Sequence, residues 1–106
     1  MAGKYSKEIR PEEVKERLAK GERLLILDVR EPEEWAIGHI PGAKHLPLVS
    51  IMSRRGELDR SASYIVVCRS GNRSGLACEL LEELGFHAIN MSGGMSGWTG
   101  EIAYGI

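Results

Sequence analysis

The stretch Tyr64–Gly85, YIVVCRSGNRSGLACELLEELG, decides how this chain is read. Its opening YIVVC is apolar without alternation, the pattern of a strand covered on both faces. Next come small and basic residues, Arg69-Ser70-Gly71-Asn72-Arg73, with the composition of a tight loop, and a helix is expected to begin about five residues after Cys68. At about 100° per residue, Leu76, Ala77, Leu80, Leu81 and Leu84 fall in one stripe with Glu79, Glu82 and Glu83 opposite, and Gly85 is a stop. A buried strand, a loop and a helix in direct succession make half of a βαβ unit.

The flanking sequence extends the pattern. Arg23–Val29, RLLILDV, is a second continuous apolar run, ending in Asp28-Val29-Arg30-Glu31 before Pro32 opens a helical turn through Trp35. Upstream, residues 5–9 suit a short strand, and Pro11 begins a helix with Glu12 and Glu13 at its positive end, Val14 and Leu18 on one face and Gly21 as its stop. GHIPGAKHLPL is expected to be mostly loop, with a short strand near 43–46 and a short helix from Leu48 to Met52. FHAINM offers a last strand before the loop SGGMSGWTGE. Alternating strands and helices predict a three-layer α/β/α architecture around a mainly parallel sheet of about five strands, in one domain over residues 1–106. In such sheets, sites form beyond the carboxyl ends of strands, where Asp28 and Cys68 both fall.

Composition narrows the function. A net charge of −1 gives no basic excess for nucleic acid, and the apolar runs are far too short to span a membrane. MAGKYSKEIR lacks the apolar core of a secretion signal, and two cysteines are too few for a disulfide scaffold. A reducing, cytoplasmic setting is therefore expected.

Cys68 stands at the exit of its apolar run, where the strand end is expected to present it to solvent. Gly71 and Asn72 tolerate positive φ, so the loop amides can turn inward around the sulfur. The first turn of the following helix adds about half a positive charge, and Arg69 and Arg73 add full ones. Cysteines in such settings have pKa values of about 3.5–7.5 and serve as nucleophiles.

These segments together resemble the rhodanese-like sulfurtransferases: LLILDVREPEEWAIGHIPGAKHLPL, YIVVCRSGNRS with its helix, and GGMSGW, spanning residues 9 to 98. The resemblance implies a parallel sheet flanked by helices, with Cys68 taking a sulfane sulfur from a donor such as thiosulfate. The persulfide would be held by the backbone of Arg69, Ser70, Gly71, Asn72 and Arg73 and would pass its sulfur to cyanide or a thiol. No cofactor or metal is implied, and the partners would be a small anionic donor and an acceptor that is a small molecule or a protein. A module whose donor and acceptor are both proteins is an alternative from another class. Cysteine-dependent phosphatases and arsenate reductases offer a second enzyme reading, but they carry Cys-x5-Arg. Here Arg73 follows Cys68 after four residues, position 74 is serine, and Val67 rather than histidine precedes the cysteine.

Other residues carry less. Arg69 and Arg73 are read as electrostatic support, or as anchors to Asp28 or Glu31. Asp28, Arg30 and Glu31 read as an ion-pair network framing the pocket. Cys78 and Trp35 read as packing, Trp98 as packing or pocket rim. His39 reads as ordering its loop, and His39, His45 and His87 show no metal-ligand spacing.

Overall fold

The computed structural model describes residues 7–105. Its five strands are β1 (Glu8–Ile9), β2 (Leu25–Asp28), β3 (Lys44–His45), β4 (Ser63–Val67) and β5 (His87–Met91), all parallel in the order β1-β5-β4-β2-β3. Four α-helices join them: α1 (Pro11–Ala19), α2 (Pro32–Ala36), α3 (Ile51–Arg54) and α4 (Asn72–Glu83). The expected strand at 5–9 lies at Glu8–Ile9, residues 5 and 6 being outside the described residues.

The continuous apolar runs of β2 and β4 are explained by burial on both faces. Alternate side chains point to opposite sides. Leu27, Tyr64, Val66 and Ala88 pack with α4 residues Ala77, Cys78 and Leu81, while Ile26, Ile65, Val67 and Met91 pack with Val14 of α1. Each fully buried aliphatic side chain contributes about 1.5–3 kcal/mol to folding. Helices on both faces give the expected three-layer α/β/α fold.

The helix stripe is rotated from expectation. The buried face of α4 is Ser74, Ala77, Cys78 and Leu81, whereas Leu76 is 56% exposed. Of the expected stripe, Ala77 and Leu81 are buried and Leu80 and Leu84 pack against the core. The face turns toward Ser74 and Cys78 rather than Leu76 because Ser74 is buried with polar partners.

Strand order places the site. From β2 the chain moves outward to the edge strand β3, and from β4 it moves the other way to β5. The carboxyl ends of β2 and β4 therefore flank the switch point where crevices open. Asp28 lies opposite Val67 in register, so Asp28 and Cys68 lie at nearly the same level.

Candidate active site

Cys68 leaves β4 into a loop shorter than expected, since α4 begins at Asn72 and Arg73 is already helical. The turn is made by Gly71, whose φ of 101° lies in the left-handed region. That conformation aims the Gly71 N–H at Cys68 Sγ, 2.9 Å away, and the Ser74 hydroxyl lies 3.3 Å from the same sulfur. The thiol itself is 1% exposed. It is thus not presented at the surface as the sequence suggested. The loop folds over it, because Gly71 allows the chain to double back above the strand end.

Three elements distant in sequence grip the loop. From β5, buried Asn90 donates through Nδ2 to the Gly71 carbonyl (3.2 Å) and accepts through Oδ1 from the Ser74 hydroxyl. From the Gly94–Gly97 turn, the Met95 amide donates to the Cys68 carbonyl (2.8 Å), while the Ser96 amide and hydroxyl both donate to the Arg69 carbonyl (2.9 and 2.8 Å). From α2, Glu34 takes Arg73 in a two-pronged ion pair, Nη1–Oε1 2.7 Å and Nη2–Oε2 2.8 Å. Ser74, Asn90, Glu34, Gly94 and Ser96 were not read from the sequence as site residues. The only signal was the double glycine at 93–94, which reads as a turn but does not say what the turn touches.

Arg73 is therefore an anchor, and its partner is Glu34, not Asp28 or Glu31. Glu34 also accepts from the Glu31 N–H (2.9 Å), tying the start of α2 to the start of α4. The Arg73 guanidinium bonded to Glu34 holds that carboxyl down at about 2, from an ordinary 4.5, against the opposing effect of burial. Arg73 is correspondingly held more firmly protonated by its bond to Glu34, against the opposing effect of burial. Because Glu34 ionises more readily folded than unfolded, the pair's stabilisation is fully present above about pH 4.5 and drains as pH falls through about 2. Glu34→Gln should flatten that acid limb by about 1 kcal/mol, both side chains being partly solvated. Denaturant titrations between these pH values measure it, and an unchanged limb would contradict the assignment.

Arg69, Ser70 and Asn72 are exposed on the loop's outer side. With Arg73 paired to Glu34, Arg69 is the loop's other cation, and it is exposed to solvent.

Asp28 and Arg30 form a buried pair, Nη2–Oδ2 2.8 Å and Nε–Oδ1 3.0 Å, with the Arg30 amide also donating to Oδ1. Arg30 Nη2 reaches on to the Gly38 carbonyl at 2.7 Å. Glu31 takes no part in this pair. His39 orders its loop: its Nδ1 donates to the Trp35 carbonyl at 2.8 Å, and its ring stacks on Trp35 at 3.5 Å. His45 stacks on Trp35 at 4.7 Å, and its Nε2 donates to the Arg30 carbonyl. His87 opens β5 and is exposed. Trp98 packs against the Val14 side of the sheet and donates to the Glu101 carbonyl. It also lines a cavity of about 430 Å³ with Leu18, Ala19 and Pro41, and no residue of the Cys68 loop lines that cavity. Cys78 is packed into the core, and burial pushes its thiol up to about 12. It stays protonated and inert at neutral pH.

The site is thus a buried cysteine at the amino end of a helix, at the switch point of a five-stranded parallel sheet. Residues 10–101 match the rhodanese-like domain family. The Bacillus subtilis protein YtwF is 43% identical over 95 residues, covering 90% of this chain and 92% of that protein. The thiosulfate sulfurtransferase GlpE of Pseudomonas putida is 38% identical over 93 residues, covering 87% and 84%. Among solved structures, a rhodanese-like domain protein from Staphylococcus aureus superposes with a TM-score of 0.88 at 36% identity, over 94% of this chain and 99% of that one. The chain belongs to the rhodanese-like sulfurtransferase family.

Proposed function

We propose that this protein moves a sulfane sulfur from a small anionic donor such as thiosulfate to a thiol or cyanide acceptor, through a persulfide on Cys68. The observation that carries the reading is the Gly71 amide aimed at Cys68 Sγ from 2.9 Å at the start of α4. In the first step the Cys68 thiolate attacks the outer sulfur of thiosulfate. The Sγ–S bond forms, the donor S–S bond breaks, and sulfite leaves with the electron pair. The added sulfur stands about 2 Å beyond Sγ, toward the loop backbone of residues 69–73, whose amides stabilise its negative charge. An acceptor thiolate or cyanide then attacks that outer sulfur, and Sγ departs as thiolate. Arg69, exposed at the mouth, raises the local concentration of a dianionic donor. Asp28 and Arg30 support the frame.

The likeness to a relative named a thiosulfate sulfurtransferase supports thiosulfate as donor. A phosphatase reading has less support. A guanidinium free to fork onto a bound phosphate would favour that reading, but Arg73 spends both of its terminal nitrogens on Glu34. No helix among the described residues is long and apolar enough to cross a membrane. With two unpaired thiols, that fits work in a reducing cytoplasm as one functional unit over residues 1–106, with a small molecule or a protein taking the sulfur. Intact mass before and after thiosulfate is the test. The protein should gain about 32 Da, one sulfur held by the nucleophile, and Cys68→Ser should gain none. A chain that takes sulfur from no sulfane donor yet hydrolyses an aryl phosphate would overturn the reading.

A further inference from the structure

We propose that Ser74 is a catalytic residue of the second half-reaction, its hydroxyl swinging from Asn90 to Cys68 Sγ as the outer sulfur departs. The proposal rests on the persulfide reading of Cys68. Ser74 is fully buried, and its one hydroxyl hydrogen faces two acceptors: Sγ at 3.3 Å and the Asn90 Oδ1. A hydroxyl donates once, so it serves one of them at a time. Asn90 is held in the orientation that offers Oδ1, because its Nδ2 is committed to the Gly71 carbonyl at 3.2 Å. Sγ therefore has one fixed donor, the Gly71 amide, and one movable donor, the Ser74 hydroxyl.

The direction of the swing follows the charge. In the persulfide, Sγ is a neutral sulfur with two bonds, the negative charge lies on the outer sulfur, and the hydroxyl rests on Asn90. When the acceptor attacks, the Sγ–S bond breaks and its electron pair stays on Sγ. The hydroxyl then turns to the new charge, and no proton is transferred. Hydrogen bonds to charged groups are about twice as strong as neutral ones, so the swing favours sulfur release. In the loading step the same bond must be given up before Sγ attacks, so it opposes loading. A group that only packed the loop would move both steps together.

Wild-type protein, Ser74→Ala, Ser74→Thr and Asn90→Asp are each loaded with thiosulfate and freed of excess donor. They are then discharged to cyanide, both steps being followed by quenched-flow mass spectrometry. In Ser74→Ala the ratio of discharge rate to loading rate should fall about tenfold, the effect of losing one hydrogen bond to a charged group. Ser74→Thr keeps the hydroxyl and should restore the ratio. Asn90→Asp offers the hydroxyl a carboxylate acceptor but gives up the Nδ2 bond to the Gly71 carbonyl. The loosened loop slows both steps alike, so the ratio should still fall, even if Ser74→Ala does not fold. An unchanged ratio in a folded Ser74→Ala, or in Asn90→Asp, overturns the proposal. If the wild type never gains the sulfur, the persulfide reading itself has failed, which is a separate result.

Discussion

Arg30→Met should destabilise the protein by about 3–5 kcal/mol, the usual cost of stripping one partner from a buried ion pair. Arg30 is 5% exposed and Asp28 1%, so water cannot replace the guanidinium that now bonds both carboxylate oxygens. The Gly38 carbonyl would lose its donor as well. Methionine keeps much of the volume of arginine, which separates loss of charge from loss of packing. Adding Asp28→Asn should recover much of the deficit, because the penalty comes from the orphaned carboxylate rather than from the missing pair. Urea unfolding at neutral pH reads both variants. An Arg30→Met protein within about 1 kcal/mol of wild type would show that the pair is not sealed from water.

Gly94→Ala should cost about 3 kcal/mol and slow sulfur transfer about a hundredfold. Gly94 has φ +56°, and a Cβ there would lie 2.7 Å from both the carbonyl carbon and the carbonyl oxygen of Arg69. Those are backbone atoms of the cradle, so the strain has no flexible side chain to absorb it. Either the turn moves, breaking the Met95 and Ser96 bonds to the carbonyls of Cys68 and Arg69, or the cradle shifts under Cys68. Persulfide formation by mass and thermal unfolding should therefore both change. Gly93→Ala is the matched control: nothing crowds a Cβ there, and only the left-handed backbone is penalised. Equal effects at the two positions would refute the clash.

The layers of the fold were legible because β2 and β4 are buried on both faces and show it as unbroken apolar runs. The place of the candidate site was legible because Cys68 sits at the end of such a run, before a glycine that turns the chain back. What surrounds it was not. Ser74, Asn90 and Glu34 are ordinary polar residues in the sequence. They acquire their roles only when β5 lies beside β4 and α2 comes against the start of α4. The rotation of α4 was missed for the same reason, since Ser74 is buried by its partners and not by hydrophobicity. Burial of Cys68 also escaped the sequence, because the backbone path of the loop depends on the φ of Gly71 and on the clasp from the Gly94–Gly97 turn.

That clasp bears on how the chain matures. The thiol leaves β4 at residue 68, but the Asn90 and Met95–Ser96 contacts that hold its loop come more than twenty residues later in the chain. During synthesis the cysteine therefore emerges before its cradle can close, and contacts of this sequence separation form late because their loop closure is costly. A nascent or clipped chain lacking the last strand and turn would carry an unguarded thiol, open to indiscriminate oxidation.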